Sequence, residues 1–171
     1  MSKNPNNKMD VKKLGIIVVA AVAIIAIAYS FRTPNSSGSS GSSAAKNATV
    51  KDSDIIIQTK DITETPAFYS ASIEGVDLEV LAVKASDGTI RTAFNTCQVC
   101  YNSGKGYYEV DKNELVCQNC GNRFGMDDVE VTKGGCNPVP ITNEYKTVTD
   151  DTITISKDVL SQATAIFAEW K

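Results

Sequence analysis

Four of the chain's five cysteines lie in one stretch, "CQVCYNSGKGYYEVDKNELVCQNC", as two CxxC pairs separated by 16 residues: Cys97 and Cys100, then Cys117 and Cys120. A tight turn points both thiolates of a CxxC pair the same way, and two such knuckles joined by a hairpin make a tetrahedral four-sulfur site. The spacing lies within the range of a zinc ribbon. It does not name the metal, because zinc, mononuclear iron and an iron–sulfur cluster all accept four cysteine ligands. Disulfides are the competing use of the same sulfurs in an oxidising compartment, although knuckles place four sulfurs around one point better than they staple a fold. The fifth cysteine, Cys136 in "GGCNPVP", makes the count odd. It is a ligand, a thiol packed beside the ligands or a free surface cysteine, and is expected near the site.

The chain contains no histidine. That removes Ser-His-Asp, Cys-His and His-metal chemistry together, and ordinary c-type haem attachment with them, since Tyr101 and Gly121 stand where CxxCH needs histidine. Charge excludes a further class. Residues 1–45 hold five basic residues and one acid, whereas residues 46–171 hold 12 basic against 19 acidic ones. An acidic domain of this kind is not expected to bind nucleic acid.

Residues 14–31, "LGIIVVAAVAIIAIAYSF", carry no charge. As a helix they would measure roughly 27 Å, enough for the hydrocarbon core of a bilayer. Four lysines precede the run and Arg32 follows it. The positive-inside rule then puts the N-terminus in the cytoplasm and everything after Arg32 outside. A cleaved signal peptide is the alternative, with "AIA" at 26–28 as its site. "PNSSGSSGSSAA" next reads as a flexible tether. The expected organisation is a cytoplasmic N-terminus at 1–13, a transmembrane helix at 14–31, a Gly/Ser-rich linker at 32–50 and an extracytoplasmic metal-binding domain at 51–171.

Within that domain the apolar pattern is strand-like. "DIIIQTK", "AFYSASI", "LEVLAVKA" and "TIRTAF" are separated by turn signals, a hairpin-type connection at Glu74-Gly75-Val76-Asp77 and a turn at Asp87-Gly88, and "GYYEV" and "ELVC" flank a turn at Asp111-Lys112-Asn113. One soluble helix is expected over 156–170, capped by Ser156, with Val159, Leu160, Ala163, Ile166, Phe167 and Trp170 as its packed stripe. The fold class is therefore mainly β (α+β): a small antiparallel domain with cysteine knuckles and a C-terminal helix. Tyr101, Tyr107 and Phe124 are the aromatics expected to screen the centre from water.

The succession "DGTIRTAFNTCQVC", "GKGYYEV", "LVCQNCGNRF", "KGGCNPVPI" resembles the FtrD-like family of membrane iron–sulfur proteins, over residues 55–141. The resemblance implies an iron–sulfur cluster, ligand positions at Cys97, Cys100, Cys117 and Cys120, an additional motif cysteine at Cys136, and a link to ferrous-iron uptake. "CQNCGNRF" is also similar to the second knuckle of Rieske proteins, with cysteine where those carry histidine, which implies a Rieske-like fold. The expected protein is a membrane-anchored electron carrier without a catalytic site, working with a redox or transport partner in the membrane. A zinc-ribbon-like interaction module and an iron- or copper-capturing protein are the alternatives, and zinc or mononuclear iron the alternative cofactors.

Overall fold

The structure, a computed structural model, describes residues 48–171. The expected membrane span at 14–31 lies outside the described residues, as does most of the tether at 32–50. Among the described residues no helix is long and apolar enough to cross a membrane.

The described chain is built on a five-stranded sheet of order β1-β3-β4-β5-β9, formed by Val50–Lys51, Ala67–Ile73, Val76–Lys84, Ile90–Cys97 and Pro138–Pro140. Its strands pair antiparallel except β1, which runs parallel to β3. Glu74 and Gly75 alone connect β3 to β4, both with left-handed φ (53° and 83°), the two-residue turn that suits strand twist. Pro138 and Pro140 sit on the edge strand β9, where a missing N–H costs no ladder bond.

Two smaller sheets flank this one. β2 (Ile55–Gln58), β10 (Thr147–Val148) and β11 (Thr152–Ile155) form the order β10-β11-β2, and β6 (Tyr108–Asp111), β7 (Glu114–Cys117) and β8 (Arg123–Gly125) form the other. The central strand β4 is buried on both faces, so its alternating side chains feed two cores. Val80 and Ala82 join Ile55, Ile57, Ile73, Ile153, Leu160, Phe167 and Trp170 on one side. Leu81 and Val83 join Tyr108, Leu115, Phe124, Met126, Val129 and three cysteines on the other. The metal-type site is thus continuous with a hydrophobic core.

The helix is shorter than its sequence stripe suggests. α1 spans Lys157–Ala163, with Ser156 Oγ accepting from the Val159 N–H, and gives way to a single 3-10 turn at Thr164–Ile166. Tertiary packing explains the tighter ending. Phe167 and Trp170 stay buried and stack edge to face, and the Trp170 indole N–H donates to the buried Asn95 carbonyl at 2.6 Å.

Buried polar groups stitch these layers together. Lys146, whose side chain is 2% exposed, meets Glu130 at 2.6 Å, and the same carboxylate oxygen accepts from the Thr92 N–H. Asn95 accepts from the Tyr108 N–H at 2.9 Å and donates to Glu79 at 2.7 Å. Every buried polar side-chain atom among the described residues has a partner, as a buried network requires if it is to be stabilising.

Candidate metal centre

The strands deliver the cysteines. β5 ends on Cys97 and β7 ends on Cys117, so the first sulfur of each pair is held by a sheet and the second follows one turn later. A register shift between Phe94 and Cys97, opposite β9, bends β5 as it runs into the first knuckle.

The two knuckles repeat one local design. Cys97 sulfur accepts from the backbone N–H groups of Val99 and Cys100, the latter at 3.3 Å, and Cys117 sulfur accepts from those of Asn119 and Cys120. The residues between them clip both knuckles to one short segment, 106–108, that leads into β6. Cys97 N–H donates to the Gly106 carbonyl at 2.7 Å, Gln118 N–H donates to the Tyr107 carbonyl at 2.9 Å, and Tyr108 pairs with Cys117 across β6 and β7.

All five cysteines are free thiols. Their sulfurs form two triads: Cys97, Cys100 and Cys117, and Cys100, Cys120 and Cys136, each with its sulfurs within 4.8 Å of one another. Cys100 belongs to both. Cys97, Cys100 and Cys117 are buried, Cys136 is half-buried and Cys120 is exposed. The centre therefore has a buried side and a solvent side, and Cys136 lies at the site with its sulfur 3.8 Å from that of Cys100.

The thiols are not equivalent electrostatically. Burial pushes Cys97 up, yet the N–H groups of Val99 and Cys100 outweigh it and leave the thiol below its ordinary value. Cys120 is lowered chiefly by the Asn122 N–H. Burial raises Cys100, and raises Cys117 to about 12. Cys136 is raised by its hydrogen bond to Cys120 and then by burial. One thiol on each knuckle, Cys97 and Cys120, is thus the easier to ionise, and its neighbours are the harder.

Of the three aromatics expected as a screen, Phe124 alone packs among the buried cysteines. Tyr101 is exposed, and Tyr107 turns to the opposite core and meets Trp170 edge to face. The aromatic that closes the site is Tyr108, 1% exposed, whose hydroxyl donates to the Cys136 carbonyl at 2.8 Å. Adjacent residues of a strand point to opposite faces, so one tyrosine of "YY" had to face the site, and the pair alone does not say which. Asn95 carries no local signal, because Tyr108, Glu79 and Trp170, which it meets, are 13, 16 and 75 residues away in the chain.

The donor set is soft, all sulfur, and free of histidine. It suits zinc, Cu(I), iron or an iron–sulfur cluster, and not a hard cation that prefers oxygen.

The family described as "Membrane iron-sulfur containing protein FtrD-like" matches residues 63–167, more than half of the chain, and the match extends through the C-terminal helix. No curated protein matches the chain. Among solved structures, a quaternary ammonium Rieske monooxygenase, CntA, with a bound inhibitor is similar over 68% of this chain and 33% of its own, at 15% identity and a TM-score of 0.39.

Proposed function

Because the chain belongs to the FtrD-like family of membrane iron–sulfur-containing proteins, we propose that it is a membrane-anchored, extracytoplasmic electron carrier. The gathering of five free thiols into two adjoining triads that share Cys100, three of them inside a hydrophobic core, is the observation that carries this reading. Cys97, Cys100, Cys117 and Cys120 hold the iron–sulfur cluster. When bound, the cluster supplies a one-electron redox couple. The N–H groups aimed at Cys97 and Cys117 orient these sulfurs and offset their negative charge. Tyr108, Leu115 and Phe124 keep water from the buried side. In the same reading the domain is Rieske-like, which the resemblance of "CQNCGNRF" to a Rieske second knuckle supports, with cysteine where that knuckle carries histidine.

A redox or transport partner in the membrane meets the solvent side, where Cys120, Val99 and Tyr101 are exposed. The acidic surface steers a basic partner to it. A link to iron uptake follows from the family resemblance. A second reading has a specific support: sulfurs within 4.8 Å of one another also suit a single zinc or iron ion.

Potentiometric titration of the full-length chain, purified anaerobically in detergent, tests the carrier role. Without histidine there is no ligand imidazole to titrate. The expected result is a reversible one-electron couple, on the order of −150 mV or lower, that moves little between about pH 6 and 9. A chain with no couple, or with a two-electron thiol couple and no metal, contradicts it.

A further inference from the structure

Four ligands leave the fifth sulfur without a role, yet its loop is fixed to both knuckles. The Cys136 carbonyl accepts from the Tyr108 hydroxyl at 2.8 Å and from Asn122 Nδ2 at 3.1 Å, just past the second knuckle. Gln98, inside the first knuckle, receives the Gly134 N–H on its side-chain oxygen at 3.1 Å and donates its own N–H to the Asn137 carbonyl at 3.0 Å. Gln98 Nε2 also reaches the Pro138 carbonyl at 3.2 Å. The Cys136 loop is thus a third arm of the centre, tied to each of the other two.

The sulfur positions say what this arm does. Cys136 makes with Cys100 and Cys120 a triad whose sulfurs lie within 4.8 Å of one another, as do those of Cys97, Cys100 and Cys117 on the buried side. Cys120 and Cys136 therefore offer their sulfurs to one place, the solvent side of the centre next to Cys100. Their burial differs in a useful way: Cys120 is exposed and Cys136 half-buried. An exposed thiolate is the one most open to oxidation, and a sheltered neighbour within reach is its natural substitute.

We propose that Cys136 is a ligand of the same centre and shares its solvent-side position with Cys120, so that either sulfur completes the set begun by Cys97, Cys100 and Cys117. This rests on the iron–sulfur reading above. Substitution with alanine tests it, because alanine has no oxygen to stand in for the sulfur. Full-length chains carrying Cys120→Ala, Cys136→Ala, both together, or Cys97→Ala are prepared anaerobically beside the wild type. Iron and acid-labile sulfide per chain are measured, with the electron paramagnetic resonance spectrum of the dithionite-reduced protein.

Each of the two single variants is expected to keep at least about half of the wild-type iron and sulfide, with a shifted spectrum, and the double variant to fall below roughly a tenth, like Cys97→Ala. Either single variant as empty as Cys97→Ala overturns the sharing, and so does a double variant that stays loaded. Spectra of Cys136→Ala identical to wild type also overturn it. The wild-type load separates this outcome from failure of the underlying reading: zinc without sulfide in the wild type overturns the iron–sulfur assignment and the proposal with it.

Discussion

Gly106 lies two residues before β6, where the chain clips the two knuckles together, and a Cβ there would collide with the carbonyl oxygen of Cys100. The obstacle is backbone, which cannot rotate away as a side chain does. Gly106→Ala is expected to push the first knuckle off Cys97 and to cost about 1–3 kcal/mol of stability with loss of most bound metal. Urea denaturation and metal analysis of the variant check this; wild-type stability and full metal content would refute the close approach. At this scale the cysteines were legible because CxxC spacing is a local constraint. The position of Cys136 was only expected, since nothing between Cys120 and Cys136 encodes the return of that loop to Gln98 and Asn122. The aromatic screen differs at Tyr107, because a pair of adjacent tyrosines does not say which of them faces the site, and at Tyr101, which the turn after the first knuckle leaves exposed.

Strands and their turns were the most legible elements. "LEVLAVKA" supplies most of β4, which begins two residues earlier because Val76 and Asp77, expected in the connection, pair with β3; Glu74-Gly75, Asp87-Gly88 and Lys112-Asn113 each lie between antiparallel neighbours, because turn chemistry and β-branched runs are written within a few residues. Their assembly into three sheets was not, because pairings such as β5 with β9 and β2 with β11 join distant segments. The C-terminal helix shows a tertiary override of periodicity. Its stripe is right, with Leu160, Ala163, Phe167 and Trp170 all buried, but the α-helical part ends at Ala163. Trp170 is the anchor of that ending: it stacks on Phe167 and Tyr107 and caps the carbonyl of Asn95 in the strand leading to Cys97. Trp170→Ala is expected to destabilise the fold by about 3–5 kcal/mol, through the cavity and the orphaned carbonyl. Thermal or urea unfolding measures it. A loss below about 1 kcal/mol would mean the C-terminal turn is not part of the core.

For the whole molecule, the described residues form a β domain whose second core is a cluster of thiols, in a chain of a membrane iron–sulfur family. The run at 14–31 and its lysine flank place this domain outside the cytoplasm in the proposed topology. Protease added to intact spheroplasts is expected to remove the domain, whereas protection until lysis would reverse the orientation. The sign of the charge and the absence of histidine were readable in composition alone, and they narrowed the chemistry to thiolate ligands. The identity of what those thiolates hold is the central claim, and one measurement bears on it most directly: iron, zinc and acid-labile sulfide per full-length chain purified without oxygen, with the visible spectrum before and after dithionite. Iron with matching sulfide, and colour that bleaches on reduction and returns on oxidation, is the predicted result. A colourless chain holding stoichiometric zinc and no sulfide would contradict it.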